Sequence, residues 1–165
     1  MKKLVLVMAI SVLSFTSMNS QTFKLGGSLG LPAADASDIS TFVLGVDAYY
    51  YFTNIDAVVE FGVTAGFRNF FGDEIEILGQ TVEIDDGQFL PLAGAARLKL
   101  FGILTGGADL GYAMGINDGN DGGLYIRPVV GIDIADTIEL NTSYESITND
   151  GVTWGSINLG ILFEF

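Results

Sequence analysis

Carboxylates are the abundant reactive side chains in this sequence. Across 165 residues, 20 Asp and Glu stand against 7 Lys and Arg, with no histidine and no cysteine. Without imidazole or thiolate, zinc ligation and histidine-based acid–base catalysis lose their usual groups. Paired carboxylates such as Asp109 and Glu139 could imitate a hydrolytic pair, and a structural charge network is the simpler account. Ser28, Ser143 and Ser156 likewise read as wall residues before they read as nucleophiles, because the chain offers no histidine base. Asp73, Glu74, Glu76, Glu83, Asp85 and Asp86 crowd one segment, and Asn117, Asp118, Asn120 and Asp121 crowd another. Such oxygen-rich clusters can bind a hard cation, which makes Asp118 and Asp121 candidates for weak Ca²⁺ ligation. The NDGNDGG run lacks the spacing and terminal Glu of an EF-hand, so a solvated Asp/Asn/Gly turn competes with that reading. No cofactor and no catalytic residue are expected.

The elements that must position these groups are strands. In the last eleven residues, Gly155, Ile157, Leu159, Ile161, Phe163 and Phe165 alternate with Ser156, Asn158, Gly160, Leu162 and Glu164. A period of two with one apolar face marks an extended strand. Turn signals divide residues 21–165 into eight such segments: 22–31, 41–52, 57–68, 88–100, 104–116, 124–134, 138–146 and 152–165. Most approach the roughly 9–11 residues of a tilted membrane strand. The connections 32–40, 69–87, 117–123 and 147–151 read as the longer, polar ones, and 53–56, 101–103 and 135–137 as tight. The expected fold is therefore all-β: an eight-stranded antiparallel up-and-down transmembrane β-barrel, with the last strand closing on the first. Pro128 and Pro91 are awkward inside a closed sheet, so bulges are expected there.

Ahead of the barrel, residues 1–20 read as a signal peptide. Lys2 and Lys3 form its positive start, and an apolar stretch over 4–15 follows. At about 1.5 Å per helical residue, that stretch is short for a bilayer core of about 30 Å. Without it, five basic residues face twenty acidic ones, a net charge of −15. That balance excludes nucleic acid as a partner.

Alternation also assigns the charges to a face. Lys24, Arg68, Arg97, Lys99 and Arg127 all fall on the inner face, together with Asp47, Glu60, Asp109, Asp133, Glu139, Glu145 and Glu164. A cation on the lipid face costs about 2–4 kcal/mol at the midplane. An interior ion-pair network among these twelve residues is therefore expected, with pairings that depend on register. Inward glycines leave room for the long side chains, and the narrow lumen is expected to be filled. Tyr50, Phe52, Phe61, Phe67, Tyr112, Tyr144, Phe163 and Phe165 are candidates for interfacial girdles, while Trp154 falls inward.

Three stretches carry a resemblance: the opening KLGGSLGLP, the GADLGYAMGINDGNDGG run and the closing INLGILFEF, behind a Ser-rich signal that ends before Gln21. The chain resembles the small outer-membrane β-barrel family of Bacteroidetes, related in architecture to OmpX and the OmpA transmembrane domain. The resemblance spans residues 21–165 and implies a location in the cell outer membrane, contact with its lipid and a monomer. Leu159, Phe163 and Phe165 resemble the signal read by the barrel assembly machinery. The expected function is a structural or surface-interaction barrel with acidic outer loops and an unidentified surface partner. A narrow channel or small-solute-binding barrel, a soluble secreted β-barrel module and a lipid-modifying enzyme are the alternatives. The last loses its ground because the enzyme families it would resemble employ a histidine.

Overall fold

The computed structural model describes residues 21–55, 58–77, 80–134 and 137–165. The expected signal peptide lies outside the described residues, as do positions 56 and 135–136 of two expected tight connections and position 57, the expected start of the third strand. The chain forms β1 (Thr22–Ala34), a 3-10 turn (Asp35–Asp38), β2 (Ser40–Ile55) and β3 (Val59–Gly72). A short pair follows, β4 (Glu74–Ile77) and β5 (Gln80–Glu83). Then come β6 (Gly87–Leu100), β7 (Leu104–Gly115), β8 (Gly123–Ile134), β9 (Ile138–Asn149) and β10 (Val152–Glu164). Eight of these strands close antiparallel in the order β1-β10-β9-β8-β7-β6-β3-β2, and β4 and β5 make a separate two-stranded sheet. The fold is a closed eight-stranded up-and-down β-barrel.

Closure is staggered. Pairing leads from Lys24 to Tyr49, Thr64, Ala93, Gly111, Tyr125, Ile147 and Trp154, and returns to β1 at Ala34, ten residues along. Such a shear tilts the strands by about 35–45° and leaves a lumen that side chains can fill. Gln21, Phe165 and the turns after β2, β6 and β8 lie at one end, the turn end. The 3-10 turn, the β4–β5 hairpin, the 117–122 loop and the β9–β10 turn lie at the other, the loop end.

Alternation holds around the wall. Lys24, Asp47, Arg68, Arg97, Asp109, Arg127, Glu139 and Glu145 are buried, while Leu25, Leu44, Val46, Leu98, Leu110, Ile126, Pro128 and Leu140 are exposed. The eight barrel strands run 12 to 16 residues, longer than the sequence pattern suggests at the loop end. The extension has a physical source: β3 and β6 stay paired up to Phe70 and Gly87. Asp73 and Ile84 then continue into β4 and β5 through an Ile84 N–H to Asp73 O bond of 3.0 Å. Part of the 69–87 connection is thus strand.

Two local expectations are corrected. The connection 147–151 is a tight turn: Asn149 pairs with Val152, and Asp150 and Gly151 take φ of 47° and 86°. Two successive positive φ values make the primed turn that matches strand twist, which suits an Asp-Gly pair. The prolines cause no bulge. Register is unbroken on both sides of Pro91 and Pro128, and each lacks ladder pairing only toward one neighbour, β3 and β9 respectively. A missing N–H removes one bond without adding a residue to the strand. The register shifts occur instead in β2, between Ser40 and Phe42 and between Tyr51 and Thr53.

Candidate functional site

The lumen contains two layers of different character. From the turn end to mid-barrel it is ionic. Lys24 Nζ lies 2.9 Å from Glu139 Oε2 and 3.6 Å from Glu164 Oε2. Lys99 Nζ lies 3.3 Å from Glu60 Oε1 and 4.0 Å from Asp133 Oδ2, and Thr105 donates to the same Asp133 oxygen at 3.1 Å. Further in, Arg97 Nη1 stands 2.7 Å from Asp109 Oδ1, whose other oxygen accepts the Tyr49 hydroxyl at 2.8 Å. The Arg97 guanidinium also lies 5.2 Å from the centre of the Tyr49 ring.

Asp47 is the hub. Its two oxygens accept from Arg68 Nη2 at 2.9 and 3.0 Å, and Oδ2 also accepts from Arg127 Nη1 at 2.8 Å. Arg68 Nε donates to Glu145 Oε2 at 2.6 Å, and that oxygen accepts the Tyr125 hydroxyl at 3.1 Å. Arg127 Nε donates to Ser143 Oγ at 2.9 Å. Arg68 is fully buried, at 0% exposure. Such a guanidinium survives burial only when its fork of donors is satisfied by fixed acceptors. Two glycines make room for it. A Cβ on Gly45 would lie 3.0 Å from Arg68 Nη1, and one on Gly66 would lie 2.6 Å from Asp47 Oδ1. Each of the twelve charged side chains named from alternation takes part in one of these contacts.

Above this layer, toward the loops, the lumen holds a cluster of rings. Phe70, Phe89 and Trp154 meet edge to face in all three pairings, with centroids 5.7, 5.3 and 5.4 Å apart. Val43, Ile147 and Ala113 pack in the same cluster. Tyr125 belongs to both layers, since its ring packs in the cluster while its hydroxyl reaches Glu145. Reading the segment after Arg68 as a loop hides Phe70. Carrying the alternation two residues further finds it, because an inward Arg68 makes Phe70 inward as well.

Among the described residues, the catalytic and metal candidates are not brought together. Asp109 and Glu139 serve different cations. Ser143 accepts from Arg127, and Ser156 accepts from Asn158 Nδ2 at 2.9 Å. Asp118 and Asp121 are exposed, and among the described residues no group of three or more His, Cys, Asp or Glu could hold a metal ion. The carboxamides of the same run bind backbone instead. Asn117 Oδ1 accepts from Gln88 N–H at 2.9 Å, and Asn120 Nδ2 donates to Gln88 O at 2.8 Å. Asp86 accepts from Asn69 Nδ2 at 2.9 Å and from Gly72 N–H at 3.0 Å. These bonds tie the loops into one cap.

At the turn end, Phe165 N–H bonds Phe23 O at 2.9 Å, which seats the last residue against β1. Leu159, Phe163 and Phe165 all project outward. Of the other girdle candidates, Phe52, Phe61, Tyr112 and Tyr144 are exposed on the outer wall, whereas Tyr50 and Phe67 are partly covered. Sequence reading missed the stacked Phe42 and Phe71 on that surface, whose centroids lie 4.1 Å apart.

No protein-family model matches the sequence, and no curated protein matches it. Solved structures share its fold. The attachment invasion locus protein Ail of Yersinia pestis superposes with a TM-score of 0.58 at 16% identity, over 90% of this chain and 100% of that one. Ail in complex with the heparin analogue sucrose octasulfate gives 0.55 at 14% identity, over 90% and 100%. A de novo designed transmembrane β-barrel gives 0.54 at 11% identity, over 90% and 98%. At these identities the likeness is one of architecture.

Proposed function

We propose that this chain is a monomeric outer-membrane barrel whose sealed lumen is structural and whose loop end is an interaction face. One observation carries the reading: burial is inverted relative to a water-soluble barrel. Leu159 is 72% exposed and Leu29 62%, while Arg68 and Glu145 are at 0%. An apolar belt around a charged lumen lowers free energy only where the surroundings are hydrocarbon. On this reading residues 1–20 are an export signal that is removed, and Leu159, Phe163 and Phe165 engage the barrel assembly machinery. The kinship with the Bacteroidetes barrels rests on the three sequence stretches that suggest it.

The contents of the lumen support the seal. Ion pairs occupy the lower half and three rings the upper, which speaks against the channel and solute-binding readings. A soluble secreted module is disfavoured by the belt. The twelve inward charges act in this proposal as a structural network. Calcium has no converging ligand set among the described residues to support it.

Ail is associated by name with attachment and invasion, and its complex holds a sulfated analogue of heparin. The surface role proposed here differs in the sign of its partner. No Lys or Arg occurs in residues 73–86 or 116–122 or in the turn at 150–151. A polyanion would meet carboxylates there.

Spin labels at Leu159, Ile161 and Lys24 test the reading. In reconstituted vesicles, the first two should be broadened by lipid-soluble oxygen and the third shielded from it. Water exposure of the two outer labels would refute the membrane assignment. Planar-bilayer recording tests the seal, since a reproducible unitary conductance from the purified monomer would contradict it.

A further inference from the structure

A cleft of about 490 Å³ opens at the loop end between the β5–β6 connection, the 117–122 loop and the β9–β10 turn. Trp154, seated on Phe70 and Phe89, forms its floor, Ile39, Ile84 and Val152 add to its apolar lining, and carboxylates stand around it. We propose that this cleft binds a small organic cation, an ammonium group carried on an apolar body. The inference deepens the surface-interaction reading and rests on it for access from outside the cell. The binding itself is a property of the barrel alone.

The floor is built rather than incidental. Gly87 has no side chain where the indole lies, and a Cβ there would stand 2.5 Å from Trp154 Cζ3. Phe70 and Phe89 fix the ring from the lumen side by edge contacts. The half-buried indole thus presents its remaining surface to the cleft in a set orientation, which lowers the ordering cost of binding. A cation with an apolar body gains twice on such a surface, from contact area and from the negative ring face.

The rim selects the sign of the charge. Asp85, Asp118, Asp121 and Asp150 are exposed around the cleft. Every basic residue of 21–165 is committed to the lumen, so among the described residues no Lys or Arg neutralises them. Like charges facing a concave apolar surface concentrate counter-ions there.

The spacing selects the size. Among the described residues no three carboxylates converge as a metal cage. Asp86, the remaining carboxylate of the lining, is held by Asn69 and Gly72. Oxygens spread along a rim above an aromatic floor suit an ion several ångströms long, with its charge at the rim and its body on the indole.

Trp154 is the only tryptophan in the chain, so its emission reports on this site alone. The full-length barrel, folded in a nonionic detergent, is titrated with n-butylammonium chloride. Separate titrations use n-butanol, CaCl₂, and NaCl at matched ionic strength. A saturable change in Trp154 emission is expected with n-butylammonium alone, with affinity falling as NaCl rises. The combined change Asp118→Asn, Asp121→Asn and Asp150→Asn should weaken it by about tenfold. Asn tolerates the positive φ at Asp150, and heat-modifiable gel mobility verifies that the variant is folded.

The proposal is overturned if n-butylammonium gives no saturable change, if n-butanol or CaCl₂ gives the same one, or if the triple variant binds equally well. A failed titration leaves the membrane reading standing. Fractionation of the chain away from the membrane would remove that reading without touching the titration.

Discussion

The two halves of the lumen share one wall and similar burial, yet different physics holds each together. The lower half is filled by guanidinium, ammonium and carboxylate groups, paired both between neighbouring strands, as Arg97 with Asp109, and across the lumen, as Arg68 with Glu145. The upper half is filled by Phe70, Phe89 and Trp154, which meet edge to face. Charge pairs are directional and leave a heavy penalty when one partner is lost. Ring packing is less directional, and its loss is limited to transfer and cavity terms. A barrel with only ion pairs would end its lumen in charges beneath the loops. One with only rings would have no means of filling its narrow waist from short side chains and glycines. Placing the rings at the loop end gives the outer loops a packed apolar base and leaves the directional contacts beneath it.

That contrast can be broken first at its strongest point. Arg68→Met leaves Glu145 with Tyr125 as its remaining partner and Asp47 with Arg127 alone. A loss of about 3–5 kcal/mol is expected in urea unfolding of the barrel in lipid. Because the pair is buried, the loss should hardly change with salt. A wild-type midpoint in the variant would mean that water already occupies the lumen. Phe89→Ala tests the upper half. Phe89 is at 0% exposure, and a loss of about 3 kcal/mol is expected from its transfer and cavity terms. The conductance should stay closed, since the ion pairs beneath still obstruct the lumen, and open-channel events in this variant would show that the rings alone make the seal.

The joint between the halves is the next test. Tyr125→Phe keeps the ring in the aromatic cluster and deletes the hydroxyl that reaches Glu145. A loss of about 1–2 kcal/mol is expected, most of it disappearing when Arg68→Met is already present. Additive losses in that double-mutant cycle would show that the two layers are independent. The smallest effect belongs to the edge of the network. Glu164 is partly exposed and 3.6 Å from Lys24, which keeps Glu139 at 2.9 Å, so Glu164→Gln should cost no more than about 1 kcal/mol and should lose that cost in high salt.

Much of this architecture is legible along the chain because a strand assigns faces locally. The alternation from Leu25 to Leu31, or from Leu124 to Ile134, follows from covalent geometry and needs no partner. The ends of strands are less legible. Phe70 and Gly72 lie in a polar, glycine-containing stretch, and their strand character comes from pairing with β2 and β6. The same applies to Asn117 and Asn120, which have the composition of a solvated turn. Only the approach of Gln88 from β6 gives their carboxamides backbone partners. Pro91 and Pro128 look disruptive in isolation, yet each places its missing donor against a single neighbour.

By itself, the order of residues determined that lysines and arginines share a face opposite the leucines and isoleucines, because side-chain direction has a period of two. It also determined that the loops carry acid without base, since composition is a property of the chain. Only the closed wall decided that Arg68 meets Glu145, 77 residues away, and that Lys24 meets Glu139, 115 residues away. Those partners depend on strand number, shear and the ten-residue offset at closure. Each is a long-range quantity with no local signal, and each sets which side chains arrive at the same height across the lumen.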